Sequence, residues 1–245
     1  MSHRRFAYAS VDSTNERALA SIASGEALHF DVHVAATQTS GRGRQGRPWV
    51  SSPGDGLYLS VTLLPEGLIA APKLTIAAGL AVFDVVTELG LSRAELDWPN
   101  DLVVQGAKMA GILVETRGLN SERPHYVIGA GINVAQRSFP RELREERRVT
   151  SLALEGIDAR PEALEEALVP TLRARLDQAQ TDPAGLAGAY LRAARLEGRE
   201  VRVAVRTEVV TGTLGELDFD RGLILTTSSG EQEISLELAR AVERA

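Results

Sequence analysis

The order of apolar and polar positions along the chain predicts a mixed α and β protein. Ser13-Thr14-Asn15-Glu16 matches a capping box, with Ser13 as cap and Glu16 three residues on, so a short helix is expected to about residue 24. Residues 33–37 read as a strand and 57–64 as a buried one. Pro72 opens a helix reaching about residue 89, with Gly90 as its stop. Leu96-Asp97-Trp98 is a short strand broken by Pro99, and residues 109–116 and 126–134 are apolar strands. The charged segment 137–148 is expected on the surface. Leu164, Leu168, Leu172 and Leu176 recur at helical spacing in a segment opened by Pro161, and a further helix spans about 183–196. After Gly198 the periodicity changes. Residues 201–205, 209–217, 223–227 and 232–236 are short strands about ten residues apart, which predicts a small barrel. The expected units are 1–195, a mixed sheet flanked by helices, and 196–245, so the fold class is α+β.

Composition narrows the function classes. The chain has 245 residues, 44% hydrophobic and 24% charged, enough for one large domain or two unequal ones. It has no cysteine, which excludes thiol nucleophiles, disulfides and thiolate zinc sites. Its four histidines are not at ligand spacing, so no metal site of the protein's own is expected. Residues 1–5 are basic, but Asp12 and Glu16 arrive too soon for a signal peptide. The longest apolar stretch, residues 74–83, is too short to span a bilayer. A cytoplasmic protein without a membrane partner is expected. The net charge of −6, with only five Phe, two Trp and four Tyr, weighs against nucleic acid as the main partner. No helix-turn-helix fits before residue 13.

Four segments carry candidate chemistry. The first runs from Thr39 to Trp49 and holds Arg42, Arg44 and Arg47 among Gly41, Gly43 and Gly46, with no acid. Glycine lets backbone N–H groups approach a ligand, and arginine binds phosphate or carboxylate bidentately. An anion clamp that orders on its ligand is one reading, and a solvated loop the other. Trp49 stacks on a base or sits in the core. The second is Trp98-Pro99-Asn100-Asp101 with Lys108 and Gly111 downstream. Only two of 27 basic residues are lysines, so a lysine at a given basic position has odds of about one in 14. Lysine supplies a compact point charge where a planar fork does not fit. A strand-end lysine in solvent is the alternative. Gly111, inside an apolar strand, marks a bulge or a close approach. The third, Gly129-Ala130-Gly131-Ile132-Asn133, leaves room along a strand for a ligand or for tight packing. The fourth is Ser13-Thr14-Asn15, at the N-terminus of the first helix, as a plain cap or with N–H groups facing a ligand. No P-loop and no G-x-S-x-G elbow occur.

In this order the four segments resemble the biotin protein ligases. The matching pieces are Ser13-Thr14-Asn15, Gln38 through Trp49, Trp98-Pro99-Asn100-Asp101, Lys108 through Leu113 and Gly129 through Asn133. Phe139-Pro140, Thr150-Ser151-Leu152 and Gly198-Arg199-Glu200-Val201 are also similar, the last to the start of that family's SH3-like C-terminal domain. The resemblance implies a class II synthetase-like catalytic domain that joins biotin to ATP, giving biotinyl-5′-AMP. A lysine of a biotin carboxyl carrier protein then takes the biotinyl group.

The resemblance implies Lys108 and Arg44 as catalytic residues, Lys108 between the biotin carboxylate and the α-phosphate. It implies Ser13, Thr14, Gln38, Gly41, Arg42, Gly111 and Gly129 around biotin. Arg44, Arg47, Trp49, Asn100, Lys108 and Asn133 fall to the nucleotide. Mg²⁺ is expected, held largely by phosphate oxygens. One departure is Asp97, where the family usually carries a basic residue. No DNA-binding domain and no DNA partner are expected, and a homodimer through an exposed strand edge stays open. Three alternatives remain at this point: a lipoate or octanoate ligase of the same fold, an RNA-binding module, and a pure interaction protein.

Overall fold

The computed structural model describes residues 3–118 and 124–245, and the expected basic start lies partly outside them. Seven strands form one mixed sheet. In spatial order they are β1 (Arg5–Tyr8), β2 (Val32–Ala35), β3 (Gly56–Leu63), β7 (His125–Asn133), β6 (Ala107–Arg117), β5 (Asp101–Val104) and β4 (Ala94–Asp97). Only β1 and β2 run parallel. All eight residues of β3 are buried, as expected of a strand covered on both faces.

Alternation along β7 separates the two faces. Tyr126, Ile128, Ala130 and Ile132 join the main core with α2 (Ala71–Glu88) and α4 (Pro161–Thr181). Gly129 and Gly131 face the other way, toward α1 (Thr14–Ala23) and the Gly–Arg loop. The leucine stripe of α4 is buried as its spacing predicts, and each such side chain contributes about 1.5–3 kcal/mol. α5 (Pro183–Ala193) follows after Asp182, whose carboxylate accepts the N–H of Gly185. The charged segment expected at the surface contains the short α3 (Arg141–Glu146). Its continuation returns inward, because Lys108 N–H donates to Arg148 O and Thr150 N–H to Lys108 O.

The C-terminal part is an antiparallel sheet of five strands: β8 (Glu200–Val205), β9 (Glu208–Asp218), β10 (Gly222–Thr227), β11 (Gly230–Ile234) and β12 (Ala239–Arg244). Its order is β11-β10-β9-β8-β12, so among the described residues the expected barrel is an open sheet. β11 is exposed at four of its five positions and rich in charge, which suits an edge and not a closing strand. The core continues from the large sheet through Val201, Val203, Leu214 and Leu225. Trp98 Nε1–H donates to Ala239 O at 2.8 Å, and Glu95 pairs with both Arg195 and Arg244.

The capping box is not formed. Ser13 has the extended backbone of a cap but no side-chain cap bond. Asp12 accepts the Ser13 N–H at 2.7 Å, and Glu16 is drawn instead to Arg42.

Candidate active site

The glycine face of the large sheet, the start of α1 and the Gly–Arg loop enclose a cavity of about 430 Å³. Its floor depends on a β-bulge. Between β5 and β6 the register passes from Leu102↔Ala110 to Val103↔Lys108, leaving Met109 as the extra residue. Lys108 and Gly111 are an odd number of residues apart, which in a regular strand puts them on opposite faces. The bulge returns both to the cavity face, while Met109 stays fully buried. Gly111 pairs directly with Gly131 across β6 and β7.

What fills the space over these glycines is protein. A Cβ on Gly131 would lie 2.6 Å from Trp49 Cε2, and one on Gly111 would lie 3.1 Å from Trp49 Cζ3 and from Lys108 Nζ. A Cβ on Gly129 would meet Asn15 Cγ at 3.0 Å. Trp49 is therefore neither a core tryptophan nor a free stacking platform. Its indole lies across the glycine pair, with Lys108 Nζ 5.5 Å from the ring and its own Nε1 buried without a hydrogen-bond partner.

Lys108 Nζ stands 2.6 Å from Asp101 Oδ2, and its side chain is only 16% exposed. Burial pulls its pKa below the ordinary lysine value, against the opposing charge and hydrogen bond of Asp101. Asp97 sits opposite Asp101 in the β4–β5 register. Its pKa is raised by burial, then by Asp101 and Glu243. The departure at position 97 thus sets two carboxylates together beside one lysine. Asp97 itself lines an open groove next to the main cavity, with Glu146, Arg147 and Arg148.

The three loop arginines do different things. The loop closes on itself through Gly43 N–H to Arg47 O and Trp49 N–H to Gly41 O, with a short 3₁₀ turn at Arg44–Gly46. Arg42 Nη2 reaches Glu16 on α1 at 2.6 Å and Glu115 on β6 at 2.9 Å, so it struts the loop to two elements. Arg44 Nη1 donates to Asn100 Oδ1 at 3.0 Å, and Asn100 Nδ2 donates in turn to Ile112 O. Arg47 lines the cavity and, among the described residues, has no ion pair. At the polar end, Gln38 Oε1 accepts from Thr14 N–H at 2.8 Å and from its hydroxyl at 3.1 Å. The Ser60 hydroxyl donates to Asn15 Oδ1, and Asn15 Nδ2 donates to Glu115 at 2.8 Å.

Of the expected site residues, Ser13, Thr14, Gln38, Arg42, Arg44, Arg47, Trp49, Asn100, Lys108, Gly111 and Gly129 line this cavity. Gly41 and Asn133 do not. A Cβ on Gly41 would lie 2.7 Å from Trp49 O, so glycine there serves closure of the loop. Asn133 is buried and donates to Thr150 O at 3.0 Å, tying the end of β7 to the segment beside Lys108. Sequence reasoning missed Arg147 and Arg240, which also line the cavity. Nothing in their local pattern marks them, since both arrive by tertiary folding.

A mixed sheet that holds a basic loop and a half-buried lysine over one cavity is the arrangement of an enzyme that brings two anions together. Residues 7–133 match the model of the Biotin/lipoate A/B protein ligase family, and the chain belongs to that family. It is 34% identical over 238 residues to the biotin--[acetyl-CoA-carboxylase] ligase of Paracoccus denitrificans, covering 92% of this chain and 95% of that protein. It is 35% identical over 219 residues to the bifunctional ligase/repressor BirA of Escherichia coli, covering 88% of this chain and 67% of that protein. Its fold matches the biotin protein ligase of Aquifex aeolicus in complex with biotin and ATP, with a TM-score of 0.81, 28% identity and 99% coverage of both chains.

Proposed function

We propose that this chain activates biotin with ATP to biotinyl-5′-AMP and transfers the biotinyl group to a lysine of a biotin carboxyl carrier protein. The observation that carries the reading is a single cavity holding both a polar hydrogen-bonding end, at Ser13, Thr14 and Gln38, and the cations Arg44, Arg47 and Lys108. Family membership and the biotin ligase relatives support it.

In the first step a biotin carboxylate oxygen attacks the α-phosphorus of ATP, the bond to the β-phosphate bridge breaks, and pyrophosphate leaves. Two anions approach, so the site must supply positive charge where charge accumulates. Lys108 fills that role as a compact ammonium on the cavity floor, held by Asp101. Arg44 and Arg47 bind the nucleotide, with Asn100 orienting Arg44. Thr14 and Gln38 are already hydrogen-bonded to one another, so they offer biotin's ureido ring an ordered polar wall. Mg²⁺ neutralises polyphosphate charge when bound. Asp101 Oδ1, buried and without a hydrogen-bond partner, is the oxygen this chain has to offer it beside the phosphates. In the second step the carrier lysine nitrogen attacks the acyl carbon, a C–N bond forms, the acyl C–O bond to AMP breaks, and AMP leaves. Trp49 and the Gly–Arg loop shield the mixed anhydride from water.

The same reading makes residues 1–195 the catalytic unit and 196–245 an SH3-like unit. It takes the cytoplasm as the place where the enzyme acts. The test is to incubate the purified protein with ATP, Mg²⁺, biotin and a biotin carboxyl carrier domain, and to map the product by mass spectrometry. One biotinyl group on one carrier lysine is expected. No modification with biotin, but modification with lipoate, overturns the assignment.

A further inference from the structure

The cations of the cavity favour the first step and hinder the second. Six basic side chains line it, Arg42, Arg44, Arg47, Lys108, Arg147 and Arg240, against one acid, Asp101. Arg42 is answered by Glu16 and Glu115, Lys108 by Asp101, and Arg147 by Glu146. Arg44, Arg47 and Arg240 have no ion pair among the described residues. Such a lining attracts anions. The nucleophile of the second step is a lysine, which arrives as a cation and is repelled by it.

The open groove beside the cavity is lined differently. Asp97 pairs with Asp101, Asp101 with Gly111, and Gly111 with Gly131, in one row across the sheet. Directly paired residues share a face, so both carboxylates lie on the face of the glycine floor. Each step across the row is about 4.5–5.5 Å, which puts Asp97 roughly 10 Å from Gly111. The groove, of about 520 Å³, shares Arg47, Asp101, Lys108 and Arg147 with the cavity, so the two meet at the reacting centre. Within the groove Asp101 is held by Lys108 and Glu146 by Arg147, while Arg148 donates to Gln105 O. Asp97 is open to solvent and, among the described residues, has no ion pair. Glu243 on β12 adds further negative charge beside it, and Lys108, which acts on it in return, is already paired. Asp97 is therefore a carboxylate short of a cation, on the way to the centre where a cation has to arrive.

We propose that Asp97 binds the ammonium of the incoming carrier lysine and brings it along the groove to the acyl carbon beside Lys108. The proposal rests on the ligase reading above. The lysine gives its proton to water before its nitrogen attacks, so Asp97 holds the cation and takes no part in making or breaking bonds. The groove, and not the cation-lined cavity, is then the entrance for the carrier.

The test compares wild type, Asp97→Asn and Asp97→Glu in transfer from preformed biotinyl-5′-AMP to a carrier domain, with EDTA present so that no divalent cation takes part. A lost charge-assisted contact at a solvent-open site predicts a rise of about 10-fold in KM for the carrier with Asp97→Asn, and Asp97→Glu is expected to recover part of it. Raising the salt concentration is expected to narrow the difference, since it screens exposed charges. Hydroxylamine, an acceptor that is uncharged at neutral pH, is expected to take the biotinyl group equally fast from wild type and Asp97→Asn. A carrier whose acceptor lysine is replaced by methionine is expected to inhibit both proteins equally. Wild-type KM for the carrier in Asp97→Asn overturns the proposal. An equal loss with hydroxylamine also overturns it, since the damage is then to the site as a whole. So does a loss seen only when Mg²⁺ replaces EDTA, which assigns Asp97 to the metal. If wild type transfers no biotinyl group to the carrier under any of these conditions, the functional reading fails and the proposal falls with it.

Discussion

Gly131→Ala tests whether the indole-covered glycine pair is the wall against which ligands bind. The new Cβ would sit 2.6 Å from Trp49 Cε2, 2.7 Å from Cζ2 and 3.0 Å from Nε1. Carbon atoms rest at about 3.5–4.0 Å, so the ring must withdraw by roughly 1 Å. The β7 backbone offers little give, because Gly131 is paired with Tyr58 on one side and Gly111 on the other. Its φ is not in the left-handed region, so alanine adds no backbone strain. The ring gives way instead, since Trp49 lies on a loop and is half-buried. Overpacking of this kind costs about 1–3 kcal/mol, equivalent to about 5- to 150-fold in affinity when it falls on a ligand site. We expect that weakening in calorimetric binding of biotin in the presence of ATP, with a melting temperature within a few degrees of wild type. Gly215→Ala is the control, because its Cβ would find Ile224 O at an ordinary 3.7 Å. Wild-type affinity in a folded Gly131→Ala protein would show that neither this glycine nor the indole meets the ligand.

Lys108→Ala is expected to lower pyrophosphate exchange by about 10²–10³-fold, the loss typical of removing a preorganised charge from a transition state; near wild-type exchange refutes the role. Because burial depresses the Lys108 pKa, the active ammonium is present at lower pH and is lost as pH rises through that depressed value. The alkaline limb of kcat/KM for exchange is therefore expected below the ordinary lysine range, and Lys108→Arg should remove it; an identical limb in both proteins contradicts the assignment. Arg44→Gly removes the hydrogen bond to Asn100 and a nucleotide contact, and is expected to make the adenylate but release it, seen as labelling of bystander lysines. Unchanged retention of the adenylate counts against that role.

The long elements were legible because their apolar periods were long. The stripe of α4 and the runs in β3, β6 and β7 each repeat several times before a breaker. Some short elements were not. β1 is four residues with an alternating, half-exposed pattern beside basic residues, and β5 begins at Asp101, inside what reads as a turn. β12 is bulged and alternates with charge, so its apolar pattern is broken where Arg240 enters. Within the site, the residue types were legible but their geometry was not. Lys108 stood out by rarity, yet only the bulge at Met109 puts it on the face of Gly111. Gly129 and Gly131 read as room for a ligand or for tight packing, and the side chains that lie over them, Asn15 and Trp49, are far away in sequence. Asn133 read as a polar contact for the nucleotide and is instead a buried tie to Thr150.

The most direct test of the central claim is ATP–pyrophosphate exchange by the wild-type protein, run side by side with biotin and with lipoate as the only carboxylate. Exchange that depends on biotin, is absent with lipoate and is lost in Lys108→Ala is the predicted result. Exchange with lipoate alone, or exchange indifferent to Lys108, would contradict the account.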